Sequence, residues 1–103
     1  MDIACELVER IRERPIIYLG ERKLERLQAF LNGYAMREQE INPDCHNDFL
    51  RGFQEYVSAY YRVETTQGWC RIIQFFSASE EEAFQTFFQR YDEFVGLQEQ
   101  RKE

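Results

Sequence analysis

Four side chains in this sequence could hold a metal or act as nucleophile and base: Cys5, Cys45, Cys70 and His46. Structural zinc needs four such ligands, grouped in short paired spacings. Here the cysteines are 40 and 25 residues apart and form no CxxC pair. A nucleophile needs a base beside it. Cys45 and His46 are adjacent, and neighbours on an extended loop point apart. A helical di-iron site would need Glu-x-x-His motifs, and the single histidine supplies none. The five glycines, at 20, 33, 52, 68 and 96, are isolated, so no glycine-rich loop can cradle a phosphate. The expectation is a protein that is not an enzyme, with no cofactor and no metal. Its cysteines then serve as small hydrophobes, and His46 as a solvated loop residue.

The elements that would position any site are helical. Apolar residues recur at helical spacing in five segments: Asp2 to Arg14, Glu21 to Glu40, Asp44 or Asn47 to Arg62 or Val63, Trp69 to Phe76, and Ser79 to Gly96. Pro15 stops the first segment. The link 15–20 then reads as an extended apolar connector packed on the core, ended by Gly20. Gly33 in mid-helix marks a close helix–helix approach. Trp69 to Phe76 could also be a strand, given its Trp, Ile and Phe, but the spacing 69, 72, 73, 76 favours helix. Ser79-Glu80-Glu81-Glu82 is a capping box, with the serine hydroxyl and the Glu82 carboxylate each accepting from a backbone amide at the helix start. Gly96 ends that helix, and 97–103 is a frayed charged tail. The prediction is an all-α fold: one compact domain over 1–103, a bundle of four to five helices.

The chain has 103 residues, a net charge of −6 and sixteen aromatic residues. The acidic balance excludes the usual nucleic-acid binder, which needs a basic patch for phosphates. No apolar stretch approaches the roughly 20 residues of a membrane-spanning helix. The start Met1-Asp2-Ile3-Ala4-Cys5-Glu6 carries an acid where a signal peptide carries positive charge, and the cysteines form no disulfide framework. A cytoplasmic protein is therefore expected.

The acidity has a location. Residues 1–41 carry net −1, and residues 42–95 carry net −5, with four bases against nine acids. Thirteen of the sixteen aromatics lie in that same stretch, from Phe49 to Phe94. Most follow helical spacing and belong to the core. Tyr60 and Tyr61 are adjacent, so about 100° apart on a helix, and both are hard to bury fully. With Trp69 they flank the loop 62–68. Rings in an acidic rim suit a basic protein partner: charge steers the encounter and rings anchor it. Tyr60, Tyr61, Glu64, Trp69 and Glu80 are the expected partner-binding residues.

Arg14-Pro15-Ile16-Ile17-Tyr18-Leu19-Gly20, with Leu24, Leu27, Phe30-Leu31, Gly33-Tyr34, Phe53, Tyr56-Val57, Tyr60-Tyr61, Gly68-Trp69 and the acids before Phe84, resembles a small uncharacterised bacterial all-helical family over about residues 11–95. In size, charge and composition the chain is also similar to immunity proteins of bacterial toxin systems. That likeness implies a non-enzymatic acidic inhibitor that occludes a basic partner. A homodimeric helical module and a small ligand-binding protein are the alternatives.

Overall fold

Pro15 ends one helix and begins the next. In the computed structural model, which describes residues 3–44, 48–64 and 67–101, helix α1 runs Ile3–Glu13 and α2 runs Pro15–Leu19. Arg14 breaks the helical path between them, with φ −138° and ψ 64°. The expected extended connector is therefore a short helix. Proline at the first helical position needs no amide partner and arrives with its φ already set. Gly20, at φ 79°, takes the left-handed place beyond the last turn and donates its N–H to the Ile16 carbonyl at 2.8 Å. The Arg26 guanidinium donates to the Leu19 carbonyl at 2.9 Å and finishes the cap.

Helix α3 spans Leu24–Ile41, three residues later at its start than the spacing suggests, since Lys23 is still extended. Helix α4 is Asp48–Tyr61, α5 Trp69–Phe75 and α6 Glu80–Arg101. The described residues thus form six helices and no strand, and the fold is all-α. Segment Trp69–Phe75 is helix, as its spacing indicates. Helix α6 runs through Gly96 to Arg101, so Gly96 does not end it. Nothing in Gly96 itself breaks a helix; a lone glycine only weakens one. The proposed starts at Asp2 and Asn47, along with Cys45 and His46, lie outside the described residues.

The capping box is present. The Glu82 N–H donates to Ser79 Oγ at 3.1 Å, and the Glu82 carboxylate accepts from the Ala78 N–H at 2.8 Å. Glu82 thus reaches one residue further back than the motif requires.

One apolar core joins the helices. Val8 and Ile11 of α1, Leu24, Leu27 and Leu31 of α3, Phe53 and Val57 of α4, Ile73 of α5 and Phe87 of α6 are sealed from solvent. Helix α3 packs on α5 and α6, and α4 packs on the same two. The close helix approach is at Gly52, not Gly33. A Cβ on Gly52 would lie 2.9 Å from Phe94 Cζ, whereas one on Gly33 would meet open space. No helix among the described residues is long and apolar enough to cross a membrane.

Candidate functional site

Helix α4 carries rings at Tyr56, Tyr60 and Tyr61. The first two share a face at i, i+4, and the third turns toward α5. Val57 faces the core and is fully buried, which fixes the helix rotation and leaves Tyr60 about half exposed. Helix α4 ends in a Schellman motif: the Val63 N–H donates to the Ser58 carbonyl and the Arg62 N–H to the Ala59 carbonyl. The left-handed residue that this motif requires is Arg62, at φ 55°.

Gln54 then sets the distance from α4 to α5. Its side-chain oxygen accepts from the Trp69 N–H at 2.6 Å, and its amide nitrogen donates to the Gln67 carbonyl at 3.3 Å and to Ser58 Oγ at 3.2 Å. With the two helices pinned, the last residues of α5 come to rest against the last residues of α4.

A run of rings results. Tyr60 meets Tyr61 edge-on at 4.9 Å, Tyr61 stacks on Phe76 at 4.8 Å and 12°, and Phe76 meets Phe75 edge-on at 5.0 Å. From Tyr61 outward exposure rises: Tyr61 is half-buried, Phe76 is 49% exposed and Phe75 is 81% exposed. Phe75 and Phe76 sit at the end of α5, and Phe76 already leaves the helical path at φ −92°, ψ 9°.

The run is held from below. The Arg90 guanidinium lies 3.9 Å from the Tyr60 ring centre. That is a cation–π contact, strengthened by burial, since Arg90 is only 8% exposed. Arg90 also pairs with Glu93 at 3.5 Å, while its Nε is buried and has no hydrogen-bond partner among the described residues. Glu93 in turn accepts from the Tyr56 hydroxyl at 2.7 Å. Burial, and then this bond to a carboxylate, push the Tyr56 phenol up to about 12. Burial likewise raises Tyr61.

Beside the run is a groove of ≈230 Å3, lined by Val63, Gln67, Arg71, Ile72, Phe75 and Phe76. It shares Val63 with a shallow trough that holds Glu55, Arg62 and Glu64. Arg62, Arg71, Glu55 and Glu64 make no ion pair among the described residues.

The five residues singled out by sequence are scattered among three environments. Tyr60 and Tyr61 belong to the ring run, and Glu64 to the adjoining trough. Trp69 is a correction: it is 4% exposed and lies between Phe53 and Phe87 at 5.4 and 5.2 Å, so it is core. Glu80 pairs with Lys23 at 3.9 Å, and its neighbour Glu81 with Arg22 at 3.8 Å, so this acidic turn already has basic partners in the chain. Phe75, Phe76 and Arg90 were not anticipated. The adjacent Phe75-Phe76 pair carried the same signal as Tyr60-Tyr61, since two neighbouring rings on a helix are hard to bury together.

Among the described residues, no group of three His, Cys, Asp or Glu side chains could hold a metal ion. Cys70 is buried and its thiol is pushed up to about 11, which disfavours the thiolate that a reactive cysteine needs. Comparison of the chain with family models, curated proteins and solved structures gives no match in any of the three.

Proposed function

We propose that the protein is a non-enzymatic interaction domain that docks onto another protein through the run Tyr60, Tyr61, Phe76 and Phe75. The observation that carries this reading is Phe75, 81% exposed at the outer end of a run of touching rings that leads down to a buried arginine. Rings buried in a contact are strong anchors. Rings already fixed by their neighbours lose little conformational freedom on binding. The trough beside them supplies the polar rim such a contact uses.

The test compares affinity capture by the parent protein with capture by a Phe75→Ala/Phe76→Ala variant. The expected result is a defined partner held by the parent and lost from the variant. Equal capture by both removes this face from the proposal.

A second reading is an immunity-type inhibitor of a basic partner. It is favoured by the net charge of −6 and by Glu55 and Glu64, which face solvent beside the rings. Charge would then steer a basic surface onto this corner and occlude it. That reading expects a basic partner whose capture weakens with added salt and with Glu64→Gln. Salt-independent capture of an acidic or neutral partner removes it.

A further inference from the structure

We infer that a second copy of this chain covers the Phe75 face, in a two-fold contact that places Phe75 of each copy in the groove of the other. The inference rests on the reading of the ring run as a docking surface, and it names the partner.

The argument begins with Arg71 and Phe75. They stand one turn apart on the exposed side of α5, and both line the same ≈230 Å3 groove. A two-fold contact is self-complementary: if residue i meets residue j, then j meets i. An antiparallel crossing of two α5 helices therefore sets each Phe75 ring against the other copy's Arg71 guanidinium. That is a cation–π contact with a cation that makes no ion pair among the described residues of its own chain. The groove floor, Val63, Ile72 and Phe76, is apolar and suits the ring.

Charge argues for the same occupant. The rim holds both signs without ion pairs, Arg62 and Arg71 against Glu55 and Glu64, among the described residues. A uniformly basic partner would satisfy the glutamates and oppose the arginines. A uniformly acidic one would do the reverse. A two-fold copy presents both signs.

The test is sedimentation velocity on the full chain at rising concentration up to about 1 mM, where contacts of roughly millimolar Kd become visible. The parent protein is expected to reach the mass of two chains. Phe75→Ala is expected to weaken that association by at least about 30-fold, as loss of a central anchor does. Arg71→Gln is expected to weaken it less. Phe75 touches little of its own chain, so circular dichroism of the variant should match the parent. A parent that stays monomeric throughout overturns the inference, as does a dimer that survives Phe75→Ala. In either case the docking reading stands or falls separately, by whether Phe75→Ala/Phe76→Ala loses a captured partner.

Discussion

Phe49, Phe53, Trp69, Phe87 and Phe94 make one set of rings, and Tyr60, Tyr61, Phe76 and Phe75 make another. The contacts in the two sets are alike. Inner rings meet at 5.2–5.8 Å, mostly edge to face. Outer rings meet at 4.8–5.0 Å, in both stacked and edge-on poses. The difference is dimension. Phe53 alone touches Phe49, Trp69, Phe87 and Phe94, so the inner set closes into a knot. The outer set is a line with one side against the protein and one side open. Ring content says nothing about which set a residue joins. The number of helices that surround it decides.

The sharpest way to break this contrast is to remove one ring from each set. Phe53→Ala or Phe87→Ala should cost about 3–5 kcal/mol, through lost burial and the cavity left behind. Urea unfolding monitored by circular dichroism would read it, and a parental midpoint for either variant would contradict the knot. Gly52→Ala comes next. The new methyl must displace the buried Phe94 ring, for about 1–3 kcal/mol on the same urea curve. Ser79→Ala removes the cap that starts α6, the helix that carries Phe87, Arg90 and Phe94, and should cost about 1 kcal/mol. A change well below that would mean that Glu82 alone suffices.

Alkali probes the seam between the two sets. The folded Tyr56 phenol keeps its proton to about pH 12, whereas an unfolded tyrosine loses it near pH 10. Below pH 10 both states keep this proton, and the phenol costs the fold nothing. Between pH 10 and 12 only the unfolded chain gains by ionising, so stability falls. Cys70 adds the same trend from about pH 9 to 11. Tyr56→Phe should flatten the upper part of that fall in thermal melts at stepped pH. Smallest of all is Phe75→Ala, which should leave stability within about 0.5 kcal/mol of the parent. A larger loss would show that the outer line supports the fold.

The helices and most of the inner knot were legible from spacing, because Phe49, Phe53, Phe84, Phe87 and Phe94 repeat at helical intervals over several turns. The capping box was legible because it is local. Helix ends misled for a common reason: periodicity has no next turn there to confirm it. Pro15 reads equally as a stop and as a first helical residue, and the link after it proved helical. Phe76 fits the stripe 69, 72, 73, 76, yet it is the residue where the chain leaves the helix, and it turns outward. Trp69 flanks the same loop as Tyr60 and Tyr61, although its own stripe points inward. Gly33 and Gly52 cannot be told apart by sequence, since only the facing helix makes one of them a contact.

Arg62 bears on how this protein should be engineered. A left-handed backbone is costly for any residue with a Cβ, by about 1–2 kcal/mol, and glycine escapes that cost. A library screened for heat resistance would therefore enrich Arg62→Gly. The same replacement removes a cation from the trough beside the rings. Selection for stability and selection for binding should pull this one codon in opposite directions.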